Sequence, residues 1–241
     1  MSYSNTDSVV GNQQIAFYGL PDTTSRQQPG MYLSGIDNYW GGAEFVYVRA
    51  NGSIRQFGLV VLTPSLQTTG YRYDATEVPN TANLGRMVAV ASTSMTAGQY
   101  GWVQISGVTP VNMNANVAAD TTFGIAAAGQ GGANTAGKQV LNARVIAPST
   151  TTIAKNAQAN AGALKLTITG SDGWFIGAYL SGTGIAANTV VVDIDSSGTQ
   201  VTLNNATTAQ VNGTVTATYN NATVFYNVAH LNRPFAQGAI T

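Results

Sequence analysis

Cysteine is absent from the 241 residues, so no disulfide and no thiolate metal site holds the fold together. Stability has to come from packing and strand pairing. Charge is nearly as scarce: Asp, Glu, Lys and Arg make up 8% of the chain, against about 25% in ordinary soluble domains. The ten basic residues are scattered from Arg26 to Arg233, which excludes the clustered cations that nucleic-acid binding needs to displace counterions. Histidine occurs once, at His230, and the nearest acid or base in sequence is Arg233, so no catalytic triad is readable. No apolar run approaches the length of a membrane span. The start MSYSNTDSVVGNQQ has no basic segment followed by an apolar one, which predicts a product made in a cytosol rather than exported.

What remains is a chain 44% hydrophobic with formal net charge +0, whose solvation falls to Asn, Gln, Ser and Thr. Much of such a surface is expected to be covered in an assembly. Residues 1–43, rich in Gly, Pro, Asn and Gln without a sustained period, read as an extended N-terminal arm lying across a neighbour or a sheet. EFVYVRANGSIRQFGLVVL (44–62) alternates: Phe45, Tyr47 and Arg49 share one face and Val46 and Val48 the other, and Asn51-Gly52 predicts a tight hairpin turn. RMVAVAS (86–92), YGWVQIS (100–106) and, between glycines, FGIAAAG read as strands or extended chain.

From about residue 161 the texture changes to Thr, Val, Asn and Gly. LKLTIT, FIGAYL, TVVVDI, TQVTL and TVTATY predict closely spaced strands with turn residues in each gap, and VFYNV after them needs a partner elsewhere. The expected fold is therefore all-β, an antiparallel β-sandwich or β-barrel-like (β-tulip-like) domain over 44–155 plus 222–241, with an inserted small β-module over 156–221.

Several motifs imitate chemistry. Gly132, Gly137 and Lys138 in GANTAGKQ have P-loop spacing, but Gln139 stands where the magnesium-binding hydroxyl belongs and VLNARVIAP reads as a strand, not the required helix. Gly182, Gly184 and Ala187 imitate a dinucleotide fingerprint, again followed by a strand. Asp193, Asp195, Ser197 and Gly198 begin like a calcium loop, but Asn204 holds the place of the bidentate Glu, and a turn capped by Asp accounts better for them. The acid pairs Asp74 with Glu77 and Asp193 with Asp195 come without a carbohydrate-site signature. The expectation is a protein that is not an enzyme and uses no cofactor and no metal. Asn51, Asn205, Asn212 and Asn221 begin N-x-[ST] triplets that carry no weight without a secretory signal.

Two stretches resemble the head decoration, or cement, proteins of tailed bacteriophages. MTAGQYGWVQISGVTPVNMNANVAADTTFGIAAAGQGGANTAGKQVLNARVIA carries the likeness on Gly98, Gly101, Trp102 and Gln104, and VFYNVAHLNRPFAQGAIT on Asn232, Pro234 and Phe235. GAYLSGTGIAANTVVVDIDSSGTQVTLNNATTA is similar to a short β-module of phage virion proteins, on Gly182, Gly184, Ile185, Thr189 and Val191. The resemblance implies a structural virion protein on the capsid exterior. Its implied partners are the major capsid protein and its own copies, as a homotrimer. Tyr32, Tyr39, Trp40, Trp102 and Phe235 are the expected interface anchors, since large aromatics dominate such contacts. The alternative is a head-fibre or tail protein that binds a host-surface glycan or receptor through the Thr- and Asn-rich module.

Overall fold

The computed structural model describes residues 4–5, 21–37, 40–68, 70–170, 173–195, 197–220 and 225–239. Every regular element among them is a β-strand, so the protein is all-β. In chain order these are β1 (Ser4–Asn5), β2 (Tyr32–Asp37), β3 (Gly41–Ala50), β4 (Leu59–Gln67), β5 (Gly70–Glu77), β6 (Val88–Ala91), β7 (Tyr100–Met113), β8 (Gly124–Ala127), β9 (Gln130–Gly132) and β10 (Val140–Ala147). They continue with β11 (Thr152–Ala159), β12 (Lys165–Ile168), β13 (Tyr179–Gly182), β14 (Thr189–Ile194), β15 (Gln200–Leu203), β16 (Val211–Thr218) and β17 (Phe225–Ala236). Two compact units result: Ser149–Val224 forms one, and Tyr3–Pro148 with Phe225–Thr241 the other.

In the larger unit, strand pairing runs β3–β5–β4–β6–β7 and returns to β3, so five strands close on themselves. The β3–β5 pairing is parallel and the other four are antiparallel. Inside the ring lie Val46, Val48, Val60, Leu62, Val103 and Ile105, none more than 3% exposed. Each such side chain contributes about 1.5–3 kcal/mol by leaving water. Phe45 and Tyr47 face the other way and are also buried, and on that side the Tyr47 hydroxyl donates to Asp22 Oδ2. The Gly30 amide donates to the Tyr47 carbonyl at 2.6 Å, and the Tyr47 amide donates to the Met31 carbonyl at 2.9 Å.

This corrects one expectation. Residues 44–62 are no tight hairpin: β3 and β4 belong to different neighbours in the ring, and residues 51–58 form a connection in which Ile54 bridges Met95. Asn51-Gly52 supplies turn chemistry, but Val46–Val48 before it and Leu59–Leu62 after it are buried on both faces and pair with other strands. Within the segment expected as an N-terminal arm, residues 32–37 lie along a sheet as β2, which pairs with β3 from Tyr32↔Val46 to Asp37↔Gly41.

β7 pairs with different strands along its two halves. Its first half closes the ring against β3, and its second half, from Ser106 to Met113, pairs with β17, which pairs in turn with β10. Gly107 marks the joint at φ +93°, and a Cβ there would sit 2.4 Å from the Gly42 carbonyl oxygen and 2.9 Å from Ala43 Cα. Only glycine suits a left-handed residue so close to another backbone.

The smaller unit is a closed antiparallel barrel in the order β11-β12-β15-β14-β13-β16. Alternation puts Leu166, Ile168, Val191, Val201, Leu203, Val211 and Val215 inside. Trp174 and Phe175 lie in the connection before β13 rather than in a strand: the indole Nε1 donates to the Ile153 carbonyl at 3.0 Å, and Phe175 packs edge-on against Tyr219, centroids 4.8 Å apart. The strand expected at FIGAYL therefore begins four residues later, at Tyr179. The expected module boundary at residue 156 falls inside β11, whose eight-residue ladder with β16 from Thr152↔Thr218 to Ala159↔Val211 closes the barrel.

Candidate functional site: an aromatic mouth on the larger unit

β3 offers one edge to β7 and the opposite edge to two strands in turn. Residues 44–46 pair with β7 and β2, and Arg49 pairs with β7 and β5, so β2 and β5 share an edge and part from each other along it. Tyr32 of β2 and Tyr71 and Tyr73 of β5 flank that parting. Tyr73 hydrogen-bonds the hydroxyls of both Tyr32 and Tyr71. The Tyr71 and Tyr73 rings meet edge to face, with centroids 5.5 Å apart at 81°. Gln28 Nε2 fixes the strand by donating to the Tyr71 carbonyl at 3.0 Å.

Tyr32 and Tyr71 remain 46% and 49% exposed, so the cluster is ordered yet open to solvent. Desolvation, followed by the bond to Tyr73, raises the Tyr32 pKa. The bond to Tyr73 is the main cause that pushes Tyr71 up to about 12. These phenols stay neutral at any physiological pH and present apolar rings with a polar rim. Beside them a concavity of about 360 Å³ is lined by Leu62, Pro64, Tyr73, Arg86, Met87 and Phe235, among others. Arg233 reaches Glu44 with two hydrogen bonds of 3.1 Å at the border of Tyr32, whose hydroxyl feels both charges.

The expected anchors separate on this surface. Tyr32 lies in the cluster, and Phe235, 40% exposed, lines the concavity. Trp40 is half-buried in the turn between β2 and β3, and Tyr39 lies outside the described residues. Trp102 is only 6% exposed and packs against Tyr47, centroids 5.1 Å apart, so it supports its own sheet instead of offering a surface. Tyr71, Tyr73 and Met87 were missed by sequence reasoning. The Tyr-x-Tyr spacing of GYRYDATE, two aromatics on one side of a strand, was the available signal.

The motifs that imitate catalytic sites are engaged in structure. Lys138 Nζ donates to Asn80 Oδ1 at 2.8 Å, and its loop leads into strand β10. Gly184, at φ +81°, lies in the turn between β13 and β14 where a Cβ would approach the Ala209 carbonyl oxygen to 2.8 Å. Asp195 Oδ1 accepts the Thr199 and Gln200 amides, each at 2.9 Å, and Oδ2 accepts the Ser197 hydroxyl at 2.5 Å, so the carboxylate caps its own turn. Asp74 faces Arg72 at 3.1 Å, and Glu77 accepts from Arg55 at 2.8 Å, which assigns these two acids to separate ion pairs. His230 is exposed in the middle of β17, opposite Arg144 and Val108. Among the described residues no three His, Asp or Glu side chains converge as a metal-binding group would. No family model, no curated protein and no solved structure matches this chain.

Proposed function

We propose that this chain is a structural virion protein that binds the outer surface of a phage capsid and stabilises the shell, with the tyrosine-lined mouth of the larger unit as its docking face. The observation that carries the reading is the cluster of Tyr32, Tyr71 and Tyr73 beside Phe235 and Met87, an exposed aromatic surface in a protein with 8% charged residues. Interfaces draw their energy from aromatic anchors surrounded by an uncharged rim, and singly exposed tyrosines would not be held in register by shared hydroxyl bonds. The likeness of Gly98–Gln104 and Asn232–Phe235 to head decoration proteins supplies the partner class: the major capsid protein, and further copies of the chain as a homotrimer.

The physics suits a cementing role. Burying apolar area at about 25 cal/mol per Å² favours binding over many shell sites, while few ion pairs leave the contact tolerant of salt. The test compares purified heads with and without the protein. Heads carrying it should withstand higher temperature before releasing DNA, and Tyr71→Ala with Phe235→Ala should reduce binding to bare heads at least tenfold. Equal heat resistance with and without bound protein sinks the cementing role.

A further inference from the structure

The smaller unit carries a surface that capsid binding does not use. In the β11–β16 ladder, residues two apart on each strand share one side of the wall. Ala157, Val211, Val215 and Ala217 take the inner side and are buried. The outer side displays Gln158 opposite Asn212, Asn156 opposite Thr214 and Thr152 opposite Thr218, and β13 adds Ser181 beside Thr216. Asn160 and Gln210 continue the same alternation one step past the ladder, and both are exposed. Within the β11–β16 ladder no charged side chain belongs to this face, since Lys155 shares the phase of Ala157; the nearest charge on the same side is Lys165 of β12, two residues from Thr167, which pairs with Gln158.

At the Gln158 end the face dips into a concavity of about 390 Å³, lined by Gln158, Ala159, Asn160, Gln210, Val211 and Asn212. That volume lies within the range of small-ligand sites, about 300–1,000 Å³. Each of the four carboxamides offers two N–H donors and a carbonyl acceptor, and none makes a side-chain hydrogen bond to another described residue. The barrel is closed, so no strand edge is open here for peptide addition. An ionic ligand would find no counter-charge among the lining residues, and an apolar one would bury little against amides. A chain of hydroxyls, each donor and acceptor at once, matches the lining.

We infer that this concavity binds the uncharged sugar units of a polysaccharide. The inference stands apart from the capsid reading and does not rest on it. Single contacts to exposed amides are weak, and a polysaccharide that engages several copies at once would add them by multivalency.

The experiment passes amine-labelled full-length protein over an array of uncharged gluco-, galacto- and manno-configured oligosaccharides and their carboxylated and sulfated counterparts. Retention on at least one uncharged sugar is expected. It should weaken at least tenfold in Gln158→Ala/Asn212→Ala, with the thermal melt unchanged because both side chains are exposed. Asn160→Ala/Gln210→Ala is the second variant if the first loses its fold. Retention on acidic sugars alone, on no sugar, or undiminished in the folded variants overturns the inference. Head binding by Tyr71→Ala/Phe235→Ala reads the capsid surface separately, so either idea can fail without the other.

Discussion

The Tyr47 hydroxyl donates to Asp22 Oδ2 at 2.7 Å, joining the middle of β3 to a residue 25 positions earlier. Arg26 completes the link, with Nε 2.8 Å from Asp22 Oδ1 and its amide donating to the Tyr47 hydroxyl at 3.3 Å. This small network holds the lead-in segment over the outer face of β3, where Tyr47 also stacks on Tyr100 with centroids 6.1 Å apart. Tyr47→Phe keeps the ring and removes the link. It should lower stability by about 1.5–3 kcal/mol, the range for a hydrogen bond to a charged group, read from urea unfolding.

The same residue predicts the alkaline limit. Burial first, and then the bond to Asp22, raises the Tyr47 pKa, and Tyr32 and Tyr71 are raised as well. A phenol that holds its proton more tightly when folded contributes stability that is fully present below the unfolded value, about pH 10, and is lost as pH rises from there. The urea midpoint should be flat from pH 7 to about pH 9 and fall above about pH 10, less steeply in Tyr47→Phe. A midpoint constant through pH 11 contradicts this account.

Gly107→Ala tests the joint of β7. The added Cβ meets backbone atoms of Gly42 and Ala43 at φ +93°, so the cost combines left-handed strain and overpacking, about 2–4 kcal/mol. Gly98→Ala is the matched control: at φ +87° its Cβ meets nothing within 4 Å, and the strain alone should cost about 1–2 kcal/mol. Equal losses would show that the close approach of β3 and β7 has no energetic weight.

The smaller unit should fold alone. Its first and last strands are hydrogen-bonded neighbours, Thr152 opposite Thr218, and its hydrophobic interior is its own. Removing it should also leave the larger unit intact, because Ala147 already pairs with Val228 and a short turn can join β10 to β17. Residues 149–224 expressed separately should show a cooperative melt and a β-type circular dichroism spectrum. An unfolded fragment would mean the barrel depends on the rest of the chain.

The DIDSSG turn should ignore calcium. The Ser197 hydroxyl first, and then the surrounding amides, hold the Asp195 carboxyl below the ordinary range, a preference present above about pH 4 and lost as pH falls. With both oxygens accepting bonds inside the turn, millimolar calcium should leave the melting temperature unchanged, and a clear rise would restore the metal reading.

Strand type was written in local pattern: TVVVDI, TQVTL and TVTATY alternate between turn residues and became β14, β15 and β16. β11 was not legible, because TIAKNAQA has few β-branched residues and becomes a strand through the partners it closes between, β12 and β16. The hairpin expected at Asn51-Gly52 failed for a related reason: turn chemistry marks a reversal but does not say which strands will pair. The tyrosine cluster joins residues 32, 71 and 73 across two strands that meet only through β3, a proximity that no local window contains.

Closing the smaller unit into a ring has a further consequence for how the chain behaves at high concentration. A protein with ten acidic and ten basic residues has almost no long-range repulsion to keep its copies apart, and open strand edges on such a chain would invite fibre growth. In the barrel every strand has a hydrogen-bonded neighbour on both sides, so none stands at the end of a sheet where another copy could add a strand.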